Sequence, residues 1–450
     1  MRDKVAEQSL IFFSIFKWAL LATAIGIIVG FGSTTFLKIL AWSLEKATRF
    51  PYLFLGLPFV FLSVMLINKY LAPDAAGHGT EKVIEAVHRH SGKIKVSVVP
   101  VKLLTTVLTL TAGGSAGKEG PCAQIGAGLS SLFADIFRFK PEDRKMLVIC
   151  GISAGFSSVF GTPIAGAIFG AEVLFSGRLS YRNLLPAFIA GIVGFQVSSA
   201  LGIQYTYHPL GGQYAFSPSF FLLVLLAAIV FGLVSFLLVE FLKYFELIGK
   251  KLNKLLFLKA MLGGGALIAL TFLFSKDYLG LGLPQIDSAL SGKPVLLYAF
   301  FLKILFTSIT LSFGGSGGIV TPIFFIGAAA GASFAQVLHL DNGTFAAIGM
   351  VSLLAGAAQT PIAASILSVE LFGTTIAPYA SIACVISFLM TGHRSVFPSQ
   401  VLASSKSDTV VIDTEKGNAM EHIKVYFNSD NERVIRKSKV FASRFKKLKK

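Results

Sequence analysis

Glu119 is the residue whose surroundings point most clearly to chemistry. It lies in GGSAGKEGP at 113–121, a glycine-rich break between two apolar stretches, with Lys118 beside it. Glycine lets a backbone approach a ligand closely. A helix that starts after such a break presents unpaired N–H groups and a partial positive charge. That combination suits a small anion. A carboxylate at the same point is itself an anion, so it can hold the site and leave it on protonation or displacement. This is a physical gate. The bland alternative is an acid that stabilises the start of its own helix. Acids inside membrane sequence are costly and usually functional, which favours the gate. Lys118 either adds positive field at the mouth of the site or snorkels to the interface. The anion site itself needs no buried Lys or Arg, which would bind the ion too tightly to release it.

Other chemistries fit poorly. GGSAGKEG is not a phosphate loop: three residues separate Gly113 from Gly117, and Glu119 stands where Ser or Thr should follow the lysine. There is no HExxH pair and no nucleophile elbow, so an intramembrane enzyme is a distant alternative. Neither a metal nor a cofactor is expected. Cys122, Cys150 and Cys384 sit in apolar or small-residue sequence and read as packing residues.

The elements around Glu119 occur twice. GGSAGKEGP at 113–121 matches GGSGGIVTP at 314–322 at five of nine positions, an offset of 201 (113 to 314). TPIAGAIFGAEVL at 162–174 matches TPIAASILSVELF at 360–372 at six of thirteen, an offset of 198 (162 to 360). A weaker pair is GHGTEKV at 77–83 and GLGLPQI at 280–286. Matches in one order at nearly one offset define two halves, residues 9–205 and 214–403, joined by a linker at 206–213. By the first offset the partner of Glu119 is Val320, so one half carries an acid where the other carries an aliphatic side chain. Residues 98–117 end in the first glycine cluster, and a new apolar segment is expected just after Pro121. Such breaks must be buried in protein or line a cavity, because lipid cannot satisfy free backbone groups.

The composition sets the medium. Only 14% of the 450 residues are charged, against about 25% in ordinary soluble domains, and the mean hydropathy is +0.72. No Asp, Glu, Lys or Arg occurs at 183–239, 304–340 or 342–369, room for several spans of roughly 20 residues. The expected fold is all-α and polytopic, with tilted and broken helices. The apolar run after the arm at 1–8 is too long for a signal-peptide core and reads as a retained first helix. The last twenty residues hold nine Lys or Arg and one Glu. That tail reads as cytoplasmic under the positive-inside rule, with anionic lipid headgroups as a second possibility and no nucleic-acid partner. With both ends basic, each half crosses an odd number of times. The second half is then inverted relative to the first, as in many transporters.

These residues resemble the CLC family of chloride channels and proton-coupled chloride transporters. GKEGP at 117–121 resembles its G(K/R)EGP motif, GIVTP at 318–322 its GxFxP motif, and GHGTEK at 77–82 falls where GSGIPE normally lies. The resemblance covers about residues 10–403. It implies a CLC-type inverted repeat in a homodimer with one pore per subunit, embedded in the cell membrane with both termini cytoplasmic. It implies that Glu119 is the external gating glutamate. Backbone N–H groups near Ile319 and Val320 would hold the central chloride, and Gly117, Lys118 and Gly120 would frame the outer site. His78 takes the place of the central serine, and Phe397 that of the coordinating tyrosine, without its hydroxyl. Val173 stands where many antiporters carry an inner proton glutamate. Its neighbour Glu172 has Glu370 as repeat partner, which suggests a structural role for both. An aliphatic inner position favours passive, voltage-gated conduction of chloride over exchange with protons. The fluoride-exporting branch also lacks the inner glutamate, but its first motif differs from GHGTEK. The tail at 404–450 is too short for the paired nucleotide-sensing (CBS) domains of some relatives.

Overall fold

The computed structural model describes residues 2–210, 217–407, 410–413 and 419–427. Part of the expected 206–213 linker and the basic stretch 431–450 lie outside the described residues. The described chain forms two series of eight helices. The first is α1 Arg2–Ala47, α2 Leu57–Leu71, α3 Thr80–Arg89, α4 Val98–Thr111, α5 Glu119–Ile136, α6 Pro141–Phe160, α7 Pro163–Glu172 and α8 Leu184–Ala200. The second is α9 Pro218–Lys251, α10 Leu256–Leu273, α11 Leu283–Leu290, α12 Ala299–Ser312, α13 Val320–Val337, α14 Asn342–Ala358, α15 Pro361–Phe372 and α16 Ala377–Thr391. The packing repeats as well. α5 lies on α6 as α13 lies on α14, and α1 lies on α8 as α9 lies on α16.

Among the described residues six helical stretches are long and apolar enough to cross a membrane, including Lys4–Ala47, Pro218–Lys251 and Val320–Val337. α1 and α9 present Leu10, Phe13, Phe16, Leu222, Leu226 and Leu233 outward, as helices facing lipid should. α5 and α13 are almost wholly buried. Their ends can therefore stop inside the bilayer, because surrounding protein shields the broken backbone. α5 starts at Glu119 itself, earlier than the expected start after Pro121. Pro121 falls in its first turn, where the missing N–H is no loss.

α7 and α15 are joined by exchanged carboxylates. Glu172, at the last position of α7, accepts from the Ile362 and Ala363 N–H groups at the start of α15, at 3.1 and 2.8 Å. Glu370 accepts from Ile164 and Ala165 at the start of α7, at 3.0 and 2.7 Å. Each acid satisfies orphan donors of the other helix and complements its positive end. Two short strand pairs complete the described chain: β1 Phe175–Ser176 runs parallel to β2 Val401–Leu402, and β3 Val410–Asp413 pairs antiparallel with β4 Lys424–Phe427.

Candidate anion site at the junction of the two halves

The two glycine breaks meet. Gly117 and Gly318 form an isolated antiparallel bridge, exchanging N–H···O bonds of 2.7 and 2.6 Å. Because the bridge is antiparallel, α5 and α13 leave it in opposite directions with their N-termini together. The loops that reach it are built alike. Each turns at a glycine in the left-handed region, Gly113 at φ 96° and Gly314 at φ 121°. Each then borrows a threonine from the other half: Ser115 N–H donates to Thr310 Oγ1 and Ser316 N–H to Thr109 Oγ1, both at 3.0 Å.

Glu119 lies across this junction and is almost fully buried. Its carboxylate accepts from the Thr321 N–H at 3.0 Å and from the Thr321 hydroxyl. Thr321 is the second residue of α13, so the acid of one half occupies the positive end of the other half's helix. Neither helix has a side-chain N-cap of its own. Among the described residues no protein acceptor meets the N–H groups of Glu119, Gly120, Ile319 or Val320. Gly120 must be glycine for steric reasons, since a Cβ there would run into the His78 carbonyl oxygen.

His78 approaches the same point from the other side. Its Nδ1 is buried without a hydrogen-bond partner, and its ring lies 5.8 Å, centroid to centroid, from Phe397. Phe397 is fully buried. The structure thus brings Glu119, Gly117, Gly120, Ile319, Val320, His78 and Phe397 together. Lys118 precedes α5 as its N-cap residue, is part-exposed, and forms no ion pair among the described residues. Val173 follows the last residue of α7 as its C-cap and is fully buried, and its carbonyl accepts from Gln400 Nε2 at 2.8 Å.

Two cations that the sequence reading did not single out are buried in the helices leading into the glycine breaks. Lys102 and Lys303 are fully buried. Lys102 Nζ donates to the Ala75 and Gly77 carbonyls, at 3.2 and 2.6 Å, and to Ser316 Oγ at 3.1 Å. Those three acceptors match the three donors of an ammonium. Lys303 donates to the Tyr278 and Gly280 carbonyls at 3.1 and 2.9 Å. The lysines fasten the segments leading into α3 and α11, and their bonds go to protein oxygens. A signal was present in the sequence: they lie 201 apart (102 to 303), and each is the only charge in its apolar helix.

A buried junction of two opposed helix N-termini, capped by one acid and set in a polytopic apolar fold, defines a membrane protein that handles a small anion. The family model for voltage gated chloride channels matches residues 59–392, and the chain belongs to that family. It is 36% identical over 400 residues to the "Chloride/fluoride channel protein" of Pseudomonas syringae pv. tomato, covering 87% of each chain. It is 28% identical over 383 residues to the "H(+)/Cl(-) exchange transporter ClcA" of Klebsiella pneumoniae, covering 78% of this chain and 80% of the other. Among solved structures it is similar to a CLC-type fluoride/proton antiporter, with a TM-score of 0.83 and 29% identity over 87% of this chain and 99% of that one.

Proposed function

We propose that this chain carries chloride passively across the membrane through the junction of α5 and α13, with Glu119 as the gate. One observation carries the reading: the Glu119 carboxylate sits on the Thr321 N–H at the start of α13, where a halide would find its donors. Backbone N–H groups of Ile319 and Val320 hold the central ion, Gly117, Lys118 and Gly120 frame its outer approach, and His78 and Phe397 flank the inner one. Preorganised backbone dipoles bind a halide without a full countercharge, so it can leave again. Passive conduction is supported by Val173, a buried aliphatic residue at the inner proton position. The assembly is a homodimer with a pore in each subunit, and both termini lie on the cytoplasmic side.

A second reading, exchange of a halide for protons with fluoride as a candidate cargo, is supported by the fluoride/proton antiporter structure and the exchange transporter among the relatives. The gate is common to both readings and is tested with Glu119→Gln in liposomes. The variant is expected to change the pH and voltage dependence of chloride flux. Normal flux with an unaltered pH response would remove Glu119 from the gate.

A further inference from the structure

Glu81 belongs to none of the roles above. It is in the first turn of α3, a helix that also carries Lys82, Glu85 and Arg89 and lies outside the apolar spans. Its Oε1 accepts from the Ser399 N–H at 3.0 Å and from the Ser399 hydroxyl. Its Oε2 is buried and has no hydrogen-bond partner. Ser399 lies in the turn that begins at Phe397 and closes with the Gln400 N–H donating to the Phe397 carbonyl at 3.1 Å. The turn's aromatic ring packs on His78, three residues before Glu81 on the same chain segment. One carboxylate therefore ties the base of α3 to the turn that carries Phe397.

We propose that Glu81 is a positioning residue for Phe397: as a carboxylate it holds the 397–400 turn against His78, and protonation at Oε2 loosens the turn and widens the inner side of the anion path. Hydrogen bonds to an ionised acceptor are roughly twice as strong as those to a neutral one, so a neutral Glu81 keeps its Ser399 donors but grips them less. The unpartnered oxygen is where the proton adds, and no other bond must break first. Burial pushes Glu81 up to about 7, against the Ser399 hydrogen bonds, which pull it down. Among charged neighbours on α3, Lys82 lowers it and Glu85 raises it. Lys82 is paired with Glu85, and Arg89 with Glu421 from beyond β2. The turn itself contributes Ser399 and Gln400, neither of which titrates in this range. The sign follows: above about pH 7 the acid is charged and the turn is held, and below it the turn is loose.

This inference rests on the reading that Phe397 lines the anion path. The test is planar-bilayer recording of chloride current with pH changed on one side at a time. Wild-type current should rise about 3- to 10-fold as pH on the α3 side falls from 8 to 6. Glu81→Gln should be high and flat, and Ser399→Ala should raise the current at pH 8 and shrink the response. Ser399→Ala also guards against a Glu81 variant that does not fold. A one-sided acid response that survives in Glu81→Gln, or is missing from wild type, overturns the proposal. Phe397→Ala separates the two readings: current unchanged by it removes Phe397 from the path and the latch with it.

Discussion

Thr321 gives Glu119 both a backbone and a hydroxyl donor, so the proposed gate requires a halide to displace a carboxylate that is already well bound. His78 offers the contrasting case, a buried ring nitrogen with no partner. A neutral imidazole N–H can donate to a halide, and the shorter serine hydroxyl does so from a different place. His78→Ser should therefore shift the relative permeation of chloride, nitrate and fluoride by roughly 2- to 10-fold, the weight of one hydrogen bond. Relative efflux from vesicles loaded with each anion measures this, and identical selectivity would put His78 outside the path. Glu119, His78 and Phe397 were legible as candidates because each stands in a recognisable pattern. Thr321 was not, although it adjoins Val320, because its role is a contact across 202 residues. Glu81 was read only as part of GHGTEK, since nothing local shows that Ser399 reaches it.

The glycine breaks were legible because glycine clusters interrupt apolar runs at one offset. Their meeting was an expectation, and the Gly117–Gly318 bridge gives it a geometry. How the helices around them are tied was not legible. Glu172 and Glu370 were paired as repeat partners, but only the folded chain places each on the other's helix start. Both oxygens of each acid are in use, so an amide presents an N–H to at least one backbone donor. Glu172→Gln should lower stability in detergent by roughly 1–3 kcal/mol, and Glu370→Gln should act in the same direction. The double variant should depart from the sum, because both acids hold one α7–α15 contact. Thermal unfolding of the purified variants reads these changes, and wild-type stability in Glu172→Gln would make the exchange incidental. The lysines were missed for a different reason: a lone cation in an apolar helix reads as snorkelling until its carbonyl partners are seen.

At the scale of the molecule, inversion of the halves places two positive helix ends at one depth, and a single acid breaks the symmetry, with Val320 opposite Glu119. Under the proposed function that asymmetry gives the path one gated side. Passive conduction predicts that the reversal potential under a proton gradient stays at the chloride equilibrium value. A shift in fixed ratio to the gradient would make the protein an exchanger, with Val173 irrelevant to coupling. The central claim is more basic than this choice: a halide sits on backbone N–H groups between α5 and α13, and Glu119 competes for the same place. Anomalous diffraction from bromide-grown crystals of wild type and Glu119→Gln tests it most directly. The account predicts bromide beside Ile319 and Val320 in both, and an additional bromide near Thr321, in the vacated carboxylate position, in the variant. Bromide elsewhere, or an unchanged pattern with the substituted amide side chain still seated on Thr321, would contradict it.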